Sequence, residues 1–239
     1  MKAIRLYWAF LLCICCSIAA YTRRGNQYSG TLPRTNKQTH RTIEKQEVNH
    51  PVTKGKLSAS EVFAKYNSAV FMIYTSNGWS NFQGSGFFVN SNGLAVSNYH
   101  VFEGTNVGLE SIKLSDGRTC KIREVVAKSE EYDFILFYVE LANKCNYIPI
   151  SNRNHQVGEK VYTIGSPLGL ENTFSSGEIS QLRGDYVIQI NAPIDHGSSG
   201  GALINEYGEV IGITSAGYDK SGANLNFAMD INVVKPYLP

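Results

Sequence analysis

A glycine-rich turn, DHGSSGG at residues 195–201, separates two apolar runs near the C-terminal end of the chain. Ser199 lies in this turn directly before two glycines. A serine hydroxyl is a poor nucleophile until a neighbouring base takes its proton, and that base needs a carboxylate that holds its tautomer. The turn can therefore serve nucleophilic catalysis if a histidine and an acidic residue reach Ser199.

The chain order of the histidines separates two classes of serine hydrolase. Residues 197–201 match the G-x-S-x-G pattern of the α/β-hydrolases, in which a helix and later a histidine follow the serine. All five histidines of this chain precede Ser199: His40, His50, His100, His155 and His196. The α/β-hydrolases are therefore excluded, and the order His, Asp, Ser remains.

Two residues have suitable settings for the base and the carboxylate. His100 ends the apolar stretch GLAVSNYH, and Asp133 opens the apolar stretch DFILFYVE after a polar turn. These positions predict that Ser199 attacks, that His100 acts as general base and then general acid, and that Asp133 orients His100. The rival acids, interpreted as ordinary turn and surface residues, are Asp116, Glu130 and Glu131.

The glycines of the turn have a separate predicted task. They permit a backbone in which the amides of Gly197, Ser198 and Ser199 point at the oxyanion that forms on attack. Removal of one such donor typically lowers kcat by about 10²–10³-fold. His196 is interpreted as a loop residue, with contact to substrate as the alternative, and His155 as a connector residue.

The segments around these residues predict an all-β fold. From Leu57 onward the chain contains short runs rich in β-branched and aromatic residues, separated by turns such as NSNG and SDG. Strands and helices do not alternate in the sequence, so a barrel or sandwich is predicted. Short helices are predicted at both ends, one capped by Ser58 or Ser60 and running to about Tyr66, and one over INVVKPYL.

Residues 1–20 have the pattern of a secretory signal peptide. Lys2 and Arg5 precede an apolar run that is too short to span a bilayer comfortably, and the small-residue stretch SIAA follows. The chain is therefore predicted to be exported, either to the periplasm or as a secreted protein. The alternative is a lipoprotein, in which Cys15 or Cys16 accepts a lipid and so supplies the only predicted membrane contact.

Residues 21–57 are predicted to form a basic polar linker. They show no helical or strand periodicity and carry eight Lys and Arg against two Glu. Residues 58–239 carry more acidic than basic side chains. The linker is interpreted as a solvated spacer, with contact to an anionic surface as the alternative, and no nucleic-acid partner is predicted.

Beyond the signal segment the chain has only two cysteines, Cys120 and Cys145. The stretches TCKIREVVAK and DFILFYVEL predict two strands that pair antiparallel about the turn at Ser129–Tyr132, which would bring position 120 near position 142. A disulfide between the two cysteines is geometrically allowed in an exported protein, and two unpaired thiols are the alternative. The cysteines have no metal-ligand spacing.

Five colinear segments of the chain resemble the trypsin-like protease domain of the HtrA (Do-like) serine peptidases. They are GSGFFVNSNGLAVSNYHV, YDFILFYVE, GEKVYTIGSPLGLENTFSSGEIS, IQINAPIDHGSSGGALINEYGEVIGIT and LNFAM. The resemblance covers about Ser60 to Pro239 and implies a chymotrypsin-like fold of two six-stranded β-barrels with the active site in the cleft between them. It places the protease domain at residues 58–239, with barrels at about 67–150 and 155–230, and implies no cofactor.

The resemblance also selects site residues. The family's nucleophile stands directly before Gly-Gly, which favours Ser199 over Ser198. Pro193 stands where relatives that cut after arginine and lysine carry an aspartate. A small or medium apolar side chain is therefore expected before the scissile bond. The pocket for it would be lined by Ile194, Asp195, Ser215, Ala216, Gly217, Asn226, Phe227 and Ala228.

Two functions of different classes fit the sequence. The first is an exported serine endopeptidase that acts on unfolded or damaged envelope proteins, or on a narrower set of polypeptides. The second is a catalytically silent or chaperone-like protein that binds peptides on the same fold. Forty residues follow Ser199, too few for the peptide-capturing PDZ module that family members usually carry, and no oligomeric state is predicted.

Overall fold

The computed structural model describes residues 55–166, 172–218 and 225–239. The predicted signal segment 1–20, with Cys15 and Cys16, and nearly all of the linker 21–57 lie outside the described residues. The described part contains one α-helix, α1 (Ala59–Tyr66), and thirteen strands. The strands are β1 Val70–Ser76, β2 Asn81–Phe88, β3 Leu94–Ser97, β4 Ser111–Lys113, β5 Thr119–Cys120, β6 Ile122–Ser129, β7 Phe134–Val139, β8 Lys160–Gly165, β9 Thr173–Arg183, β10 Val187–Ile190, β11 Ala202–Asn205, β12 Val210–Tyr218 and β13 Leu225–Asp230.

The predicted all-β fold of two barrel-like lobes is confirmed. β8 to β13 form a closed barrel in the order β10-β13-β12-β11-β8-β9, and β1 to β7 form a sheet in the order β5-β4-β1-β2-β3-β7-β6. The first lobe has seven strands where the resemblance implied six. Only Lys121 separates β5 from β6 in the chain, and these two strands form the opposite edges of the sheet. The first lobe is therefore a half-barrel of seven strands, not the six-stranded barrel that the resemblance implied, and its two edge strands follow each other in the chain.

Strand β7 is buried on both faces, which explains why DFILFYVE is a continuous apolar run. Along β7, Phe134 and Leu136 point into a cluster shared with the second lobe and with α1. Ile135 and Phe137 point into a second cluster inside the first lobe. Because successive side chains of a strand alternate between faces, one strand serves both cores. The second barrel has its own interior cluster around Ile190.

The helix α1 is capped by Ser58 rather than by Ser60, which lies inside the helix. The Glu61 amide donates to the Ser58 hydroxyl, and the Ser58 amide donates to the Glu61 carboxylate at 2.7 Å, so both ends of a capping box are formed. Val62 and Tyr66 lie one turn apart on the buried face of the helix. They pack into the cluster shared by the two lobes.

The predicted C-terminal helix consists of two 3₁₀ turns, Ile231–Val233 and Lys235–Tyr237. Pro236 has no amide hydrogen and disfavours helical backbone at the residue before it, so an α-helix cannot run through this segment. Asp230 caps the first turn by accepting a hydrogen bond from the Asn232 amide at 2.8 Å. No helix in the described ranges combines the length and the apolar character that a membrane crossing requires.

Candidate active site

His100 and Asp133 meet because the strands that carry them are neighbours. β3 pairs antiparallel with β7, and Ser97 stands opposite Ile135. His100 follows β3 on the 3₁₀ turn Tyr99–Val101, and Asp133 directly precedes β7, so both lie beyond the same end of this strand pair. His100 Nδ1 lies 2.8 Å from Asp133 Oδ2 and 3.1 Å from Oδ1.

The carboxylate of Asp133 is buried and fully engaged. Its side chain accepts hydrogen bonds from the His100 amide at 3.0 Å and from the Ser215 hydroxyl at 3.4 Å, besides the contact with the imidazole. Asp133 is 3% exposed, whereas the His100 side chain is 26% exposed. A buried carboxylate requires such donors, whereas the imidazole keeps part of its surface open to solvent.

Ser199 reaches this pair through Ser215. The Ser199 hydroxyl donates to the Ser215 carbonyl at 2.8 Å, and the Ser215 hydroxyl donates to Asp133. Within the described ranges, no hydrogen bond joins Ser199 to His100. A rotation about the Cα–Cβ bond would free the serine hydroxyl from Ser215, and such bonds are often absent until substrate binds. Ser215 therefore links Ser199 to Asp133, which in turn holds His100.

The turn that carries Ser199 has a defined peptide geometry. The Ser198 amide donates to the Asp195 carbonyl at 3.0 Å, and Gly197 has a φ of 93°. A four-residue turn with a positive φ at its third residue is a type II turn, which only glycine adopts without strain. The sequence predicts three oxyanion donors, but this bond occupies the Ser198 amide. In the described part of the chain the amides of Gly197 and Ser199 have no acceptor, so these two are the available donors.

The carbonyls of the turn are held from both lobes. Ser85, on β2, donates its hydroxyl to the Gly197 carbonyl and its amide to the Ser199 carbonyl, each at 2.7 Å. Thr214, on β12, donates its hydroxyl to the Ser198 carbonyl at 2.8 Å. Because a trans peptide points its carbonyl and its amide in opposite directions, the bond from Thr214 to the Ser198 carbonyl also fixes the direction of the Ser199 amide, which belongs to the same peptide.

Sequence reasoning missed these supporting residues. Ser85 and Thr214 are buried hydroxyls in apolar strands, and a buried polar side chain inside such a strand is the signal that could have identified them. Ser215 is predicted only as a pocket residue, yet it contacts both Asp133 and Ser199. Its role depends on contacts across the fold that residue spacing does not show.

The eight predicted pocket residues lie on β12, on β13 or at positions 194 and 195, where the glycine turn begins. Ser215 and Gly217 lie on β12, where the ladder to β13 shifts register between Thr214 and Gly217. Ala216 lies within that shift. Ile194 packs on the core of the second barrel, Asp195 is exposed, and Phe227 is partly exposed on β13.

Two other predicted pocket residues are engaged elsewhere. Ala228 is 0% exposed and belongs to the core of the second barrel, so it is not available to a substrate, and its placement in the pocket is wrong. The Asn226 amide donates to the Ala192 carbonyl at 2.7 Å. Asn226 is 5% exposed, so its first role is to join β13 to the segment that precedes the turn.

The allowed disulfide does not form. Cys120 and Cys145 are both free thiols. The predicted antiparallel pairing of β6 with β7 is present, but the chain leaves this ladder at Lys121, and Cys120 pairs with Ile112 on β4 instead. Cys145 Sγ donates to the Asn90 carbonyl at 3.4 Å. Each cysteine therefore packs separately against the core of the first lobe.

Both thiols are expected to react slowly with alkylating reagents at neutral pH. Burial raises the pKa of Cys120 and of Cys145, and the thiolate is the reactive form, so alkylation should accelerate as the pH rises beyond the range of an ordinary thiol. Iodoacetamide labelling without reductant, followed by peptide mapping, measures both rates. A disulfide-linked peptide of residues 120 and 145 from the unreduced chain would contradict this assignment.

The two other histidines in the described part of the chain form no hydrogen bond with Ser199. His155, in the segment between β7 and β8, forms a second imidazole–carboxylate pair with Asp230 at 3.1 Å. Both side chains are largely buried, and the pair ties that segment to the end of β13. His196 is exposed, and its amide donates to the Asp195 side chain at 2.7 Å. The described ranges contain no cluster of three or more metal-ligating side chains.

Comparisons with known proteins agree with this geometry. A family profile described as "Trypsin-like peptidase domain" matches residues 84–213, which is more than half of the chain. A "Probable serine protease do-like" of Buchnera aphidicola is 39% identical over 164 residues, which cover 64% of this chain and 34% of that protein. A "Probable periplasmic serine endoprotease DegP-like" of Halomonas elongata is 38% identical over 159 residues, which cover 63% of this chain and 33% of that protein.

A solved structure shows the same fold. The serine endoprotease of Yersinia pestis superposes with a TM-score of 0.68 at 26% identity, over 77% of this chain and 66% of that one. The chain spans about one third of the length of the two curated relatives, 34% and 33%. The chain belongs to the trypsin-like peptidase family, and within that family it resembles the Do-like and DegP-like serine proteases.

Proposed function

We propose that this chain is a serine endopeptidase that hydrolyses peptide bonds in polypeptides with His100, Asp133 and Ser199. The observation that carries the proposal is the 2.8 Å contact between His100 Nδ1 and the buried Asp133 carboxylate, next to the glycine turn that presents Ser199. The family to which the chain belongs, and the names of its relatives, support the same reaction.

The contacts assign a role to each atom. A carboxylate only accepts hydrogen bonds, so His100 Nδ1 carries the proton that faces Asp133, and Nε2 is left as the base. Nε2 takes the proton of the Ser199 hydroxyl while the serine oxygen attacks the substrate carbonyl carbon. The protonated imidazole then gives this proton to the leaving amine, the peptide bond breaks, and an acyl-serine remains. Water, activated by the same base, attacks the acyl-serine and restores Ser199.

The transition state carries a negative charge on the former carbonyl oxygen. The amides of Gly197 and Ser199 are the donors for it, because the type II turn and the bonds to Ser85 and Thr214 fix their directions before substrate arrives. Donors that are fixed in advance need no reorganisation during the reaction. This is the physical task of the rigid glycine turn.

The substrate class follows from the pocket and the relatives. Ser215, whose carbonyl accepts the hydrogen bond of the Ser199 hydroxyl, and the uncharged residues Ile194, Ala216 and Gly217 are the proposed lining of the pocket, which suits a small or medium apolar side chain before the scissile bond. The proposed substrates are unfolded or damaged envelope proteins, on which an exported chain would act. The name of the Halomonas relative, which includes "periplasmic", supports this proposal. Polypeptides are its proposed partners, and a lipid at Cys15 or Cys16 would be its only membrane contact.

One observation favours a second candidate, a catalytically silent or chaperone-like protein that holds peptides. The Ser199 hydroxyl donates to Ser215 at 2.8 Å rather than to His100, and a serine that kept this bond would not be activated. Such a protein would suppress the aggregation of an unfolded client without shortening it.

Incubation with a reduced, unfolded model protein separates the two candidates. The endopeptidase is expected to produce fragments from the unfolded substrate, few from the same substrate in its native disulfide-bonded form, and none after treatment with a fluorophosphonate. Fragment masses give the residue before each cleaved bond. An unfolded substrate that stays intact while its aggregation is suppressed would contradict the proposal and select the binding protein.

A further inference from the structure

Asp133 has an unusual backbone. Its φ is 45°, and no other residue except glycine has a positive φ in the described ranges. Residues with a Cβ atom avoid this left-handed region, although aspartate tolerates it better than most. A strained conformation of this kind persists only where the surroundings fix it from several sides, and it often marks a functional site. The contacts that fix Asp133 are therefore of interest.

Asn98 holds the backbone of Asp133. Its side-chain Nδ2 donates to the Asp133 carbonyl at 2.9 Å, across 35 residues of sequence. Asn98 is 0% exposed, and it stands at the N-cap of the 3₁₀ turn that carries His100. Asparagine at this position usually caps the turn with its side chain, but here no such bond is formed. The amide is directed at Asp133 instead.

The other end of the same amide has no partner. Asn98 Oδ1 is the only buried side-chain polar atom without a hydrogen bond among the described residues. A carbonyl can only accept, so the donor Nδ2 must face Asp133, and exchanging the two ends of the amide would not repair the arrangement. Buried polar groups are nearly always bonded, so an exception calls for a reason. The bond to Asp133 is the one hydrogen bond that the Asn98 side chain makes among the described residues.

The short segment from Asn98 to His100 binds both the backbone carbonyl and the side-chain carboxylate of Asp133. Asn98 holds the main-chain carbonyl, while the His100 amide and Nδ1 hold the carboxylate. Rotation of the Asp133 backbone toward an ordinary conformation would break the first contact and swing the carboxylate away from the other two. The bond from Asn98 therefore fixes the geometry of the base and its carboxylate as one unit.

We propose that Asn98 is a positioning residue of this active site, and that it acts by holding Asp133 in its left-handed conformation. The inference rests on the proposed peptidase function. Asn98 touches neither His100 Nε2 nor the reacting atoms, so it acts only through Asp133. A donor is required at this position, and neither alanine nor an ionised aspartate supplies one.

Kinetics of Asn98→Ala with a peptide substrate test the proposal. We expect kcat to fall by about 10–10²-fold, because a displacement of about 1 Å near the reacting groups costs up to that factor, while KM changes little. If Asn98→Ala does not fold, Asn98→Ser replaces it in the experiment, because the serine hydroxyl is too short to reach the Asp133 carbonyl. The control is Asn205→Ala, which removes another buried asparagine that bonds Glu209 in the second barrel. The control should lower stability but leave kcat per folded molecule unchanged.

The same substitution in an Asp133→Asn background separates positioning from general loss of structure. Asp133→Asn alone should lower kcat by about 10⁴-fold, and adding Asn98→Ala should then change kcat by less than about threefold. An equal loss from Asn98→Ala in both backgrounds would overturn the positioning role. Full activity of Asp133→Asn alone would instead overturn the proposed function.

A spectroscopic measurement tests the same point without turnover. The imidazole hydrogen between His100 Nδ1 and the Asp133 carboxylate should give a strongly downfield proton resonance. We expect this resonance in the unchanged chain and in Asn205→Ala, and we expect it to be lost or shifted upfield in Asn98→Ala. An unchanged resonance in folded Asn98→Ala would overturn the proposal.

Discussion

Replacement of Ser199 by alanine is expected to lower kcat for peptide hydrolysis by about 10⁶-fold, because the substitution removes the only proposed nucleophile. The fold should survive, since the Ser199 side chain makes one hydrogen bond, to the Ser215 carbonyl. Loss of one such bond costs about 0.5–1.5 kcal/mol of unfolding free energy. Progress curves with a fluorogenic peptide measure the loss of activity, and urea denaturation measures stability.

Ser198→Ala is the matched control for this experiment. It removes the hydroxyl of the neighbouring serine, which is the alternative nucleophile, and leaves every backbone donor in place. We expect its activity to stay within about tenfold of the unchanged chain, well short of the loss from removing a catalytic group. An inactive Ser198→Ala beside an active Ser199→Ala would show that the neighbouring serine is the nucleophile.

Gly200→Ala is expected to disrupt the turn that presents Ser199. Gly200 has a φ of 88°, and a Cβ atom there would overlap the Ser85 carbonyl and the Ser97 hydroxyl. The Ser97 hydroxyl donates to that carbonyl at 2.7 Å, so neither atom can move without breaking the support of the turn. Left-handed backbone and overpacking together should cost about 2–5 kcal/mol of unfolding free energy, and the displaced turn should abolish detectable activity.

Gly117→Ala separates the two contributions to that loss. Gly117 has nearly the same φ, 85°, but a Cβ atom there would meet no atom within 4 Å. Its substitution should therefore cost only the conformational term, about 1–2 kcal/mol, and should leave activity unchanged. Chemical denaturation of both variants gives the comparison. Equal losses of stability at the two positions would contradict the packing described around Gly200.

The sequence predicts the fold class correctly and indicates the proposed catalytic residues because both leave local signals. Short β-branched runs between turn residues predict the strands, and the apolar run after Asp133 predicts the strand that the structure shows as β7. The pairing of β3 with β7 then brings His100 and Asp133 together. Chain order alone excludes the α/β-hydrolases, and the trypsin-like fold agrees with that exclusion.

The supporting contacts could not be predicted because they join residues that are far apart in sequence. The Ser85 hydroxyl reaches Gly197 across 112 residues, and the Ser215 hydroxyl reaches Asp133 across 82 residues. Spacing also cannot show that a peptide amide is already used inside a turn, as that of Ser198 is. The sequence left open whether the two cysteines are bonded for a related reason, because the break at Lys121 places Cys120 beside Ile112 on β4.

The most direct test of the catalytic assignment is to locate the covalent adduct of a fluorophosphonate by mass spectrometry. An activated serine displaces fluoride and keeps the phosphonyl group on its oxygen. We expect one adduct per folded chain, on Ser199, and no adduct when His100 is replaced by alanine. A folded chain that takes up no phosphonyl group, or that carries it on a serine other than Ser199, would contradict the assignment of Ser199, His100 and Asp133 as one catalytic unit.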